Sequence, residues 1–349
     1  MKTMFQTRLG LLLGVAALGA FPAAAGGAER LSLPTSRAYF PALFSTPEPA
    51  PAFSGGVMLN WRRNTYSADS RDNLFVRDRQ GKLVASYRLF ASGASQMKIV
   101  DVAASGDGSV AAVGQALSNE GRYSGYLAIL SLDTSNARIV QLAPFEGRTI
   151  TYGPDGTLWV LGWQLGADQE VEQRSVSTAP PHSVLHHYTG EGVLISQHLP
   201  WPEMECGHHP AGGIPALTAS ADRIGVLLPE CSTWLELAPD GELLGRWQWQ
   251  AALGYDDVSA QVHLTPPVMT PGNSVYCQIF TSVLIDRVRT RVLDRLYTLN
   301  RDRSTWEPVD TSIATAPAGK LASLYGIDGE SLVFHAIGNE VVWVNVLKE

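Results

Sequence analysis

The feature that most limits what this chain can fold into is a pair of apolar runs, joined by a short polar turn, that recurs along its length. One form reads NLFVRDRQGKLVASY from Asn73. Related hairpins begin near Tyr126, Val184, Thr233 and Arg295, and a half-unit, EVVWVNV, begins at Glu340. A second form lies between them. It reads VDVAASGDGSVAAVG from Val100 and ITYGPDGTLWVLG from Ile150, and it recurs at Leu217–Leu228 and Leu324–Phe334. Asp-Gly between apolar runs marks a tight hairpin, because Gly accepts positive φ and Asp bonds to nearby backbone. The second runs of these hairpins (LWVL, IGVLL, LVF) are almost continuously apolar, as in strands buried on both faces. The first form alternates more, as strands nearer a surface do.

An inner hairpin followed by an outer one makes a four-stranded antiparallel blade. Blades repeated about an axis make a β-propeller. The outer units, the last incomplete, predict an all-β, six-bladed propeller whose last blade is closed by an N-terminal strand. Seven blades is the competing count, and a pair of β-sandwiches is the competing fold. On its blade pattern and Asp-Gly turns, the chain resembles the secreted six-bladed propellers of the NHL-like and TolB-like kind. That resemblance implies architecture and carries no catalytic signature. One stretch, Asn273–Glu307, lacks Gly and Pro. Leu284, Val288, Val292 and Leu296 have helical spacing there, while Arg287, Arg289 and Arg291 alternate. The frequent β-branched residues favour a long hairpin.

The N-terminus reads as an address. Lys2 and Arg8 precede the uncharged stretch Leu9–Phe21, and Ala23 and Ala25 stand in A-x-A positions. This is the pattern of a cleaved signal peptide over 1–25, implying a periplasmic or secreted protein. The alternative, an uncleaved anchor, needs about 20 apolar residues to span a bilayer. Residues 26–54 carry Pro34, Pro41, Pro47, Pro49 and Pro51 and read as an extended arm. Residues 55–349 form one propeller domain. With 45% apolar and 17% charged residues the chain is not disordered. A net charge of −7 without a Lys/Arg-rich run argues against nucleic acid. The expected state is a monomer.

Strands in a blade run alternately up and down. The turns joining strands one to two and three to four therefore share one end, and all other links share the opposite end. The longer segments, around 62–72, 165–183, 199–215 and 282–293, fall at the second end. Rigid strands holding variable loops are a usual way to present a site. Cys206 and Cys231 fall at this end of one blade, and export predicts a disulfide between them. It closes roughly two dozen residues and stabilises by about 3 kcal/mol in the chain-entropy model. Cys277, within VYCQIF, reads as a buried thiol.

The richest cluster of ligating groups is Glu203, Glu205, Cys206, His208 and His209, with His182, His186 and His187 nearby. A divalent metal held by His182, Glu205, His208 and His209 is one reading. Its spacing matches no zinc signature, and the plainer reading is a polar loop with no cofactor. Arg287, Arg289 and Arg291 suit a carboxylate or phosphate, or form a solvated hairpin face. Trp61, Trp163, Trp201, Trp247, Trp249 and Trp306 suit a sugar or peptide groove or the packing between blades, whereas Trp159 and Trp343 belong between blades. G-x-S-x-G, a Walker-type loop and a dinucleotide fingerprint are all absent. The functional expectation is a binding module for a protein, peptide or glycan, using Trp163, His182, Trp201, Arg287, Arg289 and Arg291. The alternative is a metal-assisted hydrolase or lyase on the same face.

Overall fold

The computed structural model describes residues 29–39, 52–62, 70–132, 137–164, 183–198, 215–228, 233–248, 261–285, 288–311, 323–335 and 340–348. All regular structure within them is β, and no helix there is long and apolar enough to cross a membrane. The chain opens with β1 (Arg30–Tyr39), β2 (Ala52–Ser54), β3 (Val57–Arg62), β4 (Ser70–Arg71), β5 (Asn73–Arg77) and β6 (Leu83–Arg88). One four-stranded antiparallel run follows as β7 (Ala94–Ala104), β8 (Ser109–Ser118), β9 (Tyr123–Ser131) and β10 (Ala137–Gln141). The next is β11 (Phe145–Tyr152), β12 (Leu158–Gln164), β13 (Ser183–Tyr188) and β14 (Leu194–His198). Then come β15 (Ala216–Ala219), β16 (Ile224–Leu228), β17 (Thr233–Leu237) and β18 (Leu243–Gln248). A further sheet holds β19 (Gln261–Leu264), β20 (Val268–Met269), β21 (Val275–Ile285), β22 (Val288–Asn300) and β23 (Thr305–Pro308). The chain ends with β24 (Ser323–Asp328), β25 (Ser331–His335) and β26 (Glu340–Leu347).

Strands follow one another outward in chain order within each run, apart from β1 at the outside of the last, which is the blade arrangement of a β-propeller. The first and last runs share an eight-stranded sheet, β1-β26-β25-β24-β2-β3-β5-β6, joined by a single parallel pairing of Phe53 with Gly326. A Cβ at 326 would lie 2.3 Å from the Phe53 carbonyl oxygen, so only glycine permits this approach. The outermost strand of the last run is β1, paired with β26 from Arg30↔Leu347 to Tyr39↔Glu340. The register slips on both sides of Pro34, where a ring replaces the backbone donor.

The apolar residues lie between consecutive runs. Trp61, Leu74 and Tyr87 meet Met97, Ile99 and Tyr126. Val113 and Leu127 meet Phe145 and Val160. Trp159 and Leu185 meet Ile224 and Leu235. Trp234 meets Cys277, Tyr297 and Trp306, and Tyr276 and Leu296 meet Leu332 and Phe334. Phe53 and Met58 meet Val333 and Trp343, between the last run and the first. Each aliphatic side chain removed from water in these seams stabilises by about 1.5–3 kcal/mol. Because the seams lie on both sides of a sheet, the middle strands are apolar on both faces: β16 and β17 are buried throughout. The outermost strands β14 and β18 are largely exposed.

Side chains also stitch neighbouring inner strands together. Ser54 Oγ donates to the Ala104 carbonyl at 2.8 Å and accepts from its N–H. Thr218 Oγ1 accepts from Met269 N–H at 3.3 Å, and Gln278 Oε1 accepts from Leu324 N–H at 2.8 Å. The stretch with mixed helical and strand spacing is a hairpin: β21 and β22 pair from Tyr276↔Thr298 to Ile285↔Val288. Cys277 is a fully buried free thiol on β21, and burial pushes its pKa up. Cys206 and Cys231, the expected disulfide, lie outside the described residues.

A charged staple joins the β15 and β19 sheets at the end bearing the tight turns. Glu236 has no exposed surface and pairs with Arg223 and Arg301, each at 2.6 Å. It also accepts from Trp234 Nε1 at 3.1 Å. Removing one partner of such a group leaves buried charge uncompensated. Glu236→Ala is expected to cost about 3–5 kcal/mol, read as a lower urea midpoint with an unchanged m-value.

Candidate binding site at the long-link end

The turn Gly153–Thr157 joins β11 to β12, so the start of β11 and the end of β12 lie at the opposite end, where the long links attach. Glu146 and Trp163 are cross-strand partners there. The register then shifts between Gly147 and Thr149, leaving Arg148 as the extra residue of a bulge. A bulge bends its strand and re-aims a side chain. Glycines make room for it. A Cβ at 147 would lie 2.9 Å from Val160 Cγ1, and one at 162 would lie 2.1 Å from the Glu146 carbonyl oxygen.

The re-aimed guanidinium sits over the Trp163 ring, with Cζ 3.8 Å from its centroid. It also pairs with Glu146 at 2.7 Å. Glu146 is buried despite its charge and accepts from Gln115 Nε2 on β8. A buried carboxylate is tolerable when paired and hydrogen-bonded in this way. Beneath this group Asp101, also beside a bulge, accepts from Thr149 Oγ1 at 2.7 Å and from Ile150 N–H at 3.0 Å. Burial pushes the Asp101 carboxyl up to about 6, against the opposing pull of those hydrogen bonds. The seam between the β7 and β11 blades thus ends in a flat indole and guanidinium pair backed by Glu146 and Gln115.

Of the residues expected to bind, Trp163 is in this group. Arg289 and Arg291 lie on β22 at alternate positions, registered with Leu284 and Ser282 on the long hairpin. His182, Trp201, Glu205, His208, His209 and Arg287 lie outside the described residues. Among the described residues no three His, Cys, Asp or Glu side chains are grouped as a metal would require. Trp61, Trp159, Trp306 and Trp343 are buried in the seams. Gln115, Glu146 and Arg148 were missed in the sequence. Their signal was the glycine within FEGRTITY, an interruption typical of a bulge.

His186 and His187 occupy seams. His186 stacks on Phe145 at 3.8 Å, and its Nδ1 lies 2.8 Å from Tyr188 Oη. His187 stacks on Trp159 at 4.0 Å. Its Nε2 lies 2.8 Å from Thr157 Oγ1, and the Thr157 hydroxyl donates to Asp155 at 2.6 Å. Nε2 of His187 is therefore the donor to Thr157. In the Asp-Gly turns, Asp107, Asp155 and Asp240 each accept from the backbone N–H two residues on. Asp328 also reaches across: it bonds Arg79 in the first blade and accepts from Trp343 Nε1 at 2.9 Å.

No protein-family model and no curated protein matches this chain. Solved structures do resemble it. The solved structures below include a β-propeller domain. That domain belongs to the Trilobed protease of Pyrococcus furiosus, with 11% identity and a TM-score of 0.38, over 88% of this chain and 91% of that one. Prolyl oligopeptidase B of Galerina marginata gives 12% identity and a TM-score of 0.45, over 85% of this chain and 42% of that one. A glucose dehydrogenase gives 14% identity and 0.37, over 92% and 98%.

Burial holds His186 down at about 4, and it depresses His187, His198 and His335 as well. These imidazoles are neutral in the native state, whereas an unfolded chain takes the proton near 6.5. Their contribution is therefore present above about pH 6.5 and is lost as the pH falls below it, for His186 as the pH passes through about 4. Asp101, raised rather than lowered, acts in the opposite sense. Urea midpoints measured from pH 7.5 to 4 are expected to fall less steeply in His186→Gln than in the parent.

Proposed function

We propose that this protein is an exported, monomeric, six-bladed β-propeller that binds a protein, peptide or glycan at its long-link end. The leader pattern over 1–25 supports export. The apolar clusters between consecutive runs, including last to first, support a six-bladed ring closed by β1. The observation that carries the binding reading is the Arg148–Trp163 pair at the mouth of a seam. Indole and guanidinium together offer a flat, polarised face to a sugar ring or a peptide plane. Glu146 holds the guanidinium in place, so little ordering is left to bear on binding. Arg289 and Arg291, with Arg287, His182 and Trp201, are proposed to complete the face.

The test is a glycan and peptide array probed with the mature protein, followed by titration calorimetry on any ligand found. Trp163→Ala and Arg148→Ala are each expected to weaken binding about tenfold or more, on the scale of a stacked anchor. Retained affinity in both variants would remove this site from the reading. Stoichiometric metal in the purified protein, lost in His208→Ala, would favour metal-assisted hydrolysis instead.

A further inference from the structure

The opposite end carries a second surface. On β14 and the turn before it, Val193, Leu194 and Ile195 are 57%, 45% and 52% exposed. On β18, Leu243 and Leu244 are 49% and 45% exposed. Among the described residues both strands are the last of their sheets, so each presents an edge to further pairing. The devices that usually blunt such an edge, proline or lysine, are absent from LISQH and LLGRWQ. The two edges are neighbours, because the His198 ring rests on Gly241. A Cβ at 241 would lie 2.0 Å from it.

Charge selects the occupant. Glu191 precedes the first apolar row, and Asp240 and Glu242 precede the second; all three are exposed. Arg246 lies further along β18, opposite Leu235. The equivalent row on β6, Leu83 and Val84, is as exposed but follows Arg79 and Lys82. A second copy of this chain would bring the same acidic turns face to face. We propose that the apolar edges of β14 and β18 dock a basic, amphipathic polypeptide of a partner protein, added as an extended strand. Main-chain pairing would supply affinity, with alternate apolar and cationic side chains meeting the apolar rows and acidic turns. This surface lies at the other end from the Arg148–Trp163 pair and does not depend on it.

The probe is a labelled octapeptide of alternating Lys and Val, followed by fluorescence anisotropy, with an alternating Glu and Val peptide as control. Binding of the Lys peptide is expected, weakened at least tenfold in the double variant L194K/L243K and measurably in E191Q/E242Q. Leu83→Lys is expected to leave it unchanged. Thermal melts establish that each variant is folded. Equal binding of the Glu peptide, or equal loss in Leu83→Lys, would overturn the proposal. So would a parent dimer in sedimentation that L194K/L243K abolishes, since the patch would then belong to a second copy.

Discussion

The middle strands of this protein serve two neighbours at once. Side chains alternate across a strand, so a sheet set on edge between two others buries both of its faces. That single constraint accounts for the continuous apolar runs of β16 and β17 and for the seams in which the largest buried side chains meet. It also accounts for the glycines. Where inner strands converge there is no room for a side chain, as between Phe53 and Gly326. Charged or titratable groups enter the seams with partners at Glu236, held between two guanidiniums, and at His187, on Thr157.

Much of this was legible in the sequence. The Asp-Gly turns and the difference between continuous and alternating runs located the hairpins, because both signals are local. The long hairpin β21–β22 was ambiguous by spacing alone, and its β-branched residues pointed the right way. The site was less legible. Trp163 stood out as a tryptophan at the end of an apolar run, but Glu146 and Arg148 read as unremarkable charges in a strand. Their meeting depends on a bulge, and a bulge is visible only once the register with β12 is known. Asp328 shows the same limit: it has the sequence of a turn former and the geometry of a contact to Arg79, far away in the chain.

The two ends divide the work. Tight turns at one end set the strand register, with acidic corners before β14 and β18 and a basic one before β6. The other end receives the long links and the inner-strand bulges, where side chains are turned away from the regular alternation. A rigid array of sheets permits this because a local irregularity at the rim leaves the seams below it intact.

The pairing of β1 with β26 orders events in time. Thr35 Oγ1 bonds the Trp343 carbonyl across 308 residues of chain. During synthesis β1 therefore waits, without its ladder, until β26 has been made. Contacts of such separation are slow to form because the loop they close is so long. A chain lacking either strand leaves the other with a bare edge.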